Sequence, residues 1–194
     1  MKYDVSKREI ILDRELSNLD KVVLDFVRIL RKHIDYVIMA GYVSIILGRT
    51  RTTEDVDLFI RKISFEKFVD LYYDLKKGDF FCINAESPKE IFSYLEDGYA
   101  IRFSREQSGI PNFEVKFPKS HTDEEIFDDF ITVILPEDKI KISSLERHIA
   151  FKRYFLRSDK DFNDALHVEE LFRNDLDYNK INKLKKIIES MHGN

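Results

Sequence analysis

The chain has 194 residues, a length that suits one compact domain or a core carrying a helical appendage. Its 43% apolar and 35% charged residues argue against a disordered chain, and its single cysteine, Cys82, excludes an intramolecular disulfide framework. Net charge is −4, with 20 basic against 27 acidic residues over 1–138 and 12 against 9 over 139–194, so the chain is not a broadly basic nucleic-acid binder; the C-terminal excess reads as solvated helix faces or as a surface that a polyanion can approach.

The start, Met1-Lys2-Tyr3-Asp4, lacks the apolar stretch of a signal peptide, and no run approaches the ~18 apolar residues of a membrane span. A cytoplasmic location without a membrane partner is expected. Leu16, Leu19, Val23, Phe26, Val27 and Leu30 fall on one helical stripe, with Ser17-Asn18-Leu19-Asp20 as its cap. A buried strand over 35–40 ends at Gly41, a short helix covers 43–47 and stops at Gly48, and a second strand runs over 55–60. Ser64 opens a helix to about Lys77, ended by Gly78. Phe80 to Asn84 reads as a strand containing Cys82, taken as a small buried hydrophobe. Pro88 starts a helix ending near Gly98, and 100–104 with 113–117 read as a hairpin across Gly109-Ile110-Pro111. Thr122 opens an acidic helix, 131–135 is expected to be the last strand, and Pro136 turns the chain. Helices alone follow, at about 144–157, 160–173 and 178–190. This order predicts an α/β (α+β) fold, a mixed sheet with flanking helices over 1–138 and a helical unit over 139–194 packed on it.

Chemistry concentrates between Ala40 and Ile60. Asp55 and Asp57 alternate with core-facing Val56, so both carboxylates leave the strand on one face, roughly 7 Å apart along it. Such a pair repels unless a cation lies between its members, and magnesium takes one or two carboxylates together with substrate phosphates. The Gly41 turn offers backbone N–H groups to an anion such as a triphosphate. Arg49 and Arg51 can clamp phosphates or the acceptor, or neutralise the aspartates; Thr52 and Thr53 are expected to fix the loop through side chain–backbone bonds.

The block from Val37 to Ile60 resembles the signature of the nucleotidyltransferase superfamily, with its DNA polymerase β-like core. It looks closest to the abortive-infection (AbiEii-like) toxin branch and related small bacterial and archaeal members, which read Gly-Gly, an aliphatic run, Gly, Arg, Arg-Thr-Thr or Arg-Thr-Ser, then Asp-Ile-Asp-Leu. Ala40 departs from that pattern at the first glycine. The resemblance implies a third carboxylate on a neighbouring strand, and Glu114 in Phe113-Glu114-Val115 is the candidate, where aspartate is usual. In a two-magnesium scheme it helps hold the ion near the attacking hydroxyl and can take its proton; its alternative is an exposed hairpin residue beside Lys116.

Farther on, Leu145, Ile149, Lys152 and Leu156 share one helical line, so Lys152 needs a buried anion or a route to solvent. A triphosphate or the metal-site carboxylates would serve. Lys152 followed by Lys160, Asp161 and Asp164 resembles the family's later motif. His148 and His167 read as structural, with no zinc-like spacing around them.

The resemblance implies a magnesium-dependent nucleotidyltransferase moving a nucleoside monophosphate from an NTP to an acceptor hydroxyl, with tRNA or another RNA as a candidate acceptor and an antitoxin as a candidate partner. Its rivals are a catalytically inactive nucleotide- or RNA-binding or complex-forming module, and an enzyme that modifies small molecules in the manner of antibiotic adenylyltransferases.

Overall fold

The computed structural model describes residues 1–105 and 109–192. The chain runs β1 (Lys2–Asp4), β2 (Glu9–Ile11), α1 (Asn18–His33), β3 (Tyr36–Met39), α2 (Gly41–Ile46), β4 (Asp55–Ile60), α3 (Phe65–Lys77) and β5 (Phe80–Cys82). It continues with α4 (Pro88–Glu96), β6 (Ile101–Arg105), β7 (Asn112–Lys116), α5 (His121–Glu124) with a 3-10 turn over Glu125–Phe127, β8 (Phe130–Ile134) and β9 (Lys139–Ser143). The C-terminal helices are α6 (Leu145–Ala150), prolonged by a π-helical turn over Phe151–Leu156, then α7 (Asp159–Leu171) and α8 (Tyr178–His192). No helix among the described residues is long and apolar enough to cross a membrane.

One mixed sheet has the order β1-β2-β8-β9-β3-β4-β7-β6-β5. The α/β expectation therefore holds, as do α1, β3, β4 and the β6–β7 antiparallel pair. Ser17 and Asp20 form the capping box of α1, and the same Asp20 carboxylate accepts the Tyr42 hydroxyl at 2.8 Å, fastening the start of α2 to α1. Three expectations need correction. The 131–135 strand is not the last, because β9 follows it after a tight turn closed by Leu135 N–H on the Asp138 carbonyl. The strands β1 and β2 carry no sequence signal, because three residues cannot display a period. Ser120, not Thr122, caps α5, through its hydroxyl and the Asp123 backbone. Cys82 is half-buried, and burial pushes its thiol pKa up, away from reactivity.

Because strand side chains alternate, the sheet has two unlike faces. On one, Phe113 stacks on Phe26 of α1 with ring centroids 3.9 Å apart, inside a core that continues without a break to Leu145, Ile149, Ala165, Val168 and Ile181 of the C-terminal helices. On the other, Val37, Met39 and Phe59 form a smaller cluster with Ile126 and Phe127. Asp55, Asp57 and Phe59 share that second face, so the chemistry-bearing residues lie opposite the main core.

Candidate active site

Strands β4 and β7 run parallel and in register, with Asp55 opposite Asn112 and Asp57 opposite Glu114. This pairing brings the sequence-predicted carboxylates to one place although 57 residues separate Asp57 from Glu114 in the chain. Asp55 Oδ1 accepts a hydrogen bond from Asn112 Nδ2 at 2.6 Å. Asp57 makes no side-chain hydrogen bond among the described residues; burial, with Glu114 and Asp55 nearby, raises its pKa against the pull of Lys116.

Glu114 is held differently. Its Oε2 accepts from Arg102 Nη2 at 2.8 Å and Nε at 3.2 Å, and its Oε1 from Lys116 Nζ at 3.1 Å. Burial opposes its charge, but Lys116 and Arg102 prevail and its pKa lies below the ordinary glutamate value. The Lys116 ammonium also stands 3.8 Å from Asp57 Oδ1, so an internal cation bridges the two strands' carboxylates. Lys116 was not among the expected site residues, yet the period of two along β7 puts Asn112, Glu114 and Lys116 on one face and could have found it.

Among the described residues no three carboxylate, imidazole or thiol side chains converge as a ready-made metal group. The donor chemistry at Asp55 and Asp57, hard carboxylate oxygens with one side chain lacking hydrogen bonds, fits one magnesium ion. Glu114, engaged by two cations, does not join them in this arrangement.

The turn preceding α2 adjoins this pair, since Met39 is in register with Asp57. Ala40 adopts φ 56° and ψ −130°, a conformation that favours glycine. The glycine-type turn is thus retained at the departed position, at a cost of about 1–3 kcal/mol. Gly41 leaves room for Arg51: a Cβ there would push the end of the Arg51 side chain out of its present place.

Arg51 belongs to a buried ionic cluster centred on Asp164, which has no exposed surface. Arg49 Nε lies 2.7 Å and Arg51 Nε 3.3 Å from Asp164 Oδ1, and Lys152 Nζ lies 3.0 Å from Oδ2. These are ion pairs without hydrogen-bond alignment, for neither Asp164 oxygen has an aligned donor among the described residues. Lys152 also donates to Asp161 Oδ1 at 2.7 Å. The anion that Lys152 requires is therefore supplied by Asp161 and Asp164, where the sequence suggests that a triphosphate or the carboxylates of Asp55 and Asp57 would serve. Three cations face two carboxylates, leaving an excess of positive charge beside the turn. Thr53 Oγ1 fastens the loop by donating to the Asp55 carbonyl at 2.9 Å, whereas Thr52 contributes its carbonyl, which accepts from Arg51 Nη1 at 3.1 Å. Lys160 is exposed at the start of α7, outside the cluster.

His148 and His167, read from the sequence as structural, are each held through Nε2. His167 Nε2 lies 3.1 Å from the Leu47 carbonyl and His148 Nε2 3.0 Å from Ser44 Oγ. Burial, then Lys152 and Arg51, push the His148 pKa down to about 3, so it is neutral at physiological pH.

With this geometry in hand, the comparisons with solved structures bear on the fold. A nucleotidyltransferase-like protein from Paracoccidioides brasiliensis superposes with a TM-score of 0.57 at 21% identity, over 91% of this chain and 88% of the other. ANT(2″)-Ia, solved in complex with adenylyl-2″-tobramycin, gives 0.59 at 11% identity over 91% of this chain and all of its own. A solution structure of the same antibiotic-resistance factor gives 0.55 at 11% identity, over 89% and 91%. No protein-family model and no curated protein matches the chain. The fold is that of the nucleotidyltransferases. A particular likeness to the AbiEii-like branch is not among these findings.

Proposed function

We propose that the chain is a magnesium-dependent nucleotidyltransferase that moves a nucleoside monophosphate from an NTP to an acceptor hydroxyl. The observation that carries this reading is the placement of Asp55 and Asp57 on one sheet face, in register with the strand that leads into the positive-φ turn at Ala40. Asp55 and Asp57 would hold the ion; magnesium there neutralises charge on the phosphates. The Gly41 turn would receive the triphosphate, with the excess positive charge of Arg49, Arg51 and Lys152 beside it and Thr52 shaping the loop. The acceptor oxygen forms a bond to the α-phosphorus, the bond to the bridging oxygen breaks, and pyrophosphate departs. Glu114 would take the hydroxyl proton, and a second ion with it, once Arg102 and Lys116 release it. RNA, including tRNA, remains the acceptor suggested by the toxin resemblance, and an antitoxin its partner.

The second reading, a nucleotide-binding module without catalysis, is favoured by one observation: Glu114 is engaged by two cations. Labelled NTPs with magnesium and total RNA or lysate separate the two. An enzyme transfers label, loses transfer in Glu114→Gln and keeps it in Glu114→Asp; a binding module is stabilised by magnesium-NTP in a thermal-shift assay yet transfers nothing. Stabilisation by NTP alone, undiminished by chelator, would exclude the metal-dependent site altogether.

A further inference from the structure

Beside the carboxylates the same sheet face holds a cavity of about 230 Å3. Ala40 and Lys116 line it on the side of the turn and of Asp57. Met39, Phe59 and Ile126 line it from the sheet cluster, and Phe151 and Phe155 from the π-helical turn. The rings of Phe151 and Phe155 are stacked, with centroids 4.9 Å apart and planes 14° from parallel. A further flat ring extends such a stack at an offset, the arrangement aromatic faces prefer.

Two polar residues make the cavity more than a greasy slot. Ser143 and His148 both line it, each only 2% exposed. Ser143 Oγ and His148 Nδ1 are buried and have no hydrogen-bond partner among the described residues. Orphaned buried groups of this kind are uncommon and costly, and they are satisfied when a ligand brings complementary atoms. A serine hydroxyl donates or accepts. The imidazole, bonded through Nε2 to Ser44 Oγ, presents Nδ1 in either role according to its tautomer. The charged lining residues are engaged elsewhere: Asp123 in the α5 capping box, and Arg147 with Asp129 and Glu125. Lys116 faces Asp57 and Glu114. A polycation finds no free carboxylate here, and a phosphate backbone finds apolar walls.

We infer that this cavity binds an uncharged planar heteroaromatic ring, held between the Phe151 side and the Met39–Phe59 wall and hydrogen-bonded at its edge by Ser143 and His148. The ring belongs either to the base of the nucleotide or to the acceptor; this role rests on the nucleotidyl-transfer reading, while the binding itself does not.

The test uses the whole chain and two sets of probes without phosphate: the four ribonucleosides, and free heterocycles such as indole and quinoline. Calorimetry and the chemical shifts of the His148 ring report binding. At least one probe should bind at millimolar concentration or below and shift His148. Ser143→Ala, which removes only the hydroxyl, and Phe151→Leu, which removes the ring but keeps an apolar side chain, should each weaken it at least tenfold. If nucleosides bind and both variants also weaken magnesium-NTP, the ring is the nucleotide's base. If only free heterocycles bind and magnesium-NTP affinity is unchanged, the ring is the acceptor's. Asp57→Asn should lose magnesium-NTP affinity and keep ring binding, so a failed nucleotide site is distinguishable from a failed cavity. No binding by any probe, or binding indifferent to both variants, overturns the inference.

Discussion

Arg49 Nε lies 2.7 Å from Asp164 Oδ1, which ties the loop carrying the arginines to helix α7, more than a hundred residues later in the chain. Asp164 has no exposed surface and faces Arg51 and Lys152 as well, so its charge balances a site rather than decorating a helix. Asp164→Asn leaves three cations with Asp161 alone. Breaking a buried pair from one side costs about 3–5 kcal/mol. Denaturant unfolding should show a loss of that order, and a loss below about 1 kcal/mol would mean that the cluster relaxes into solvent.

Ala40 offers a gain instead. Its positive φ costs an alanine about 1–3 kcal/mol, while glycine in its place loses up to about 1 kcal/mol through unfolded-chain entropy. Ala40→Gly should raise the unfolding free energy by about 1 kcal/mol, measured by thermal or chemical unfolding, without loss of nucleotide affinity. A destabilised variant would place the strain elsewhere.

Lys116 competes with any ion that approaches Asp57 and Glu114. Lys116→Met removes the ammonium 3.8 Å from Asp57 and keeps most of the stem. Divalent-ion binding without nucleotide should tighten by about tenfold, equivalent to about 1.4 kcal/mol. Manganese titration followed by electron paramagnetic resonance reads this directly, and unchanged affinity would show that the lysine stands aside when metal arrives.

Two aspartates give opposite pH signatures. Burial, with Glu114 and Asp55, raises the Asp57 pKa, so its contribution to stability is full below the unfolded value and is lost as pH rises through the folded one. At pH 7 Asp57→Asn should therefore melt higher than the native chain, the gap closing in acid, even as it abolishes magnesium-NTP binding. Asp138 is the reverse case: burial opposes its charge, but Arg31 and Arg28, donating at 2.7 and 2.8 Å, hold its pKa well below the carboxylate range. Its stabilisation is present above the unfolded value and lost as pH falls through the folded one. Asp138→Asn should cost about 1 kcal/mol at neutral pH, discounted because both arginines reach solvent, and progressively less in strong acid.

Local pattern alone decided much of this protein. A period of two places Asp55 and Asp57 on one face, a capping box starts α1 at Ser17, and the motif from Val37 to Ile60 resembles that of the nucleotidyltransferase fold. Those features are local, so they survive reading one residue after another. Contacts across the chain were settled only by folding. The register of β4 on β7 brought Glu114 opposite Asp57, and with it Lys116 of the same β7 face; the period of two along β7 groups Glu114 with Lys116, but no spacing encodes their pairing with Asp57. Lys152 declared its need for an anion from its place on an apolar helical line, but Asp161 and Asp164 met that need only when α7 packed against the π-helical turn. The cavity with its orphaned Ser143 and His148 is likewise invisible in the chain, because its walls come from β3, β4, β7, β9 and the helices beyond them.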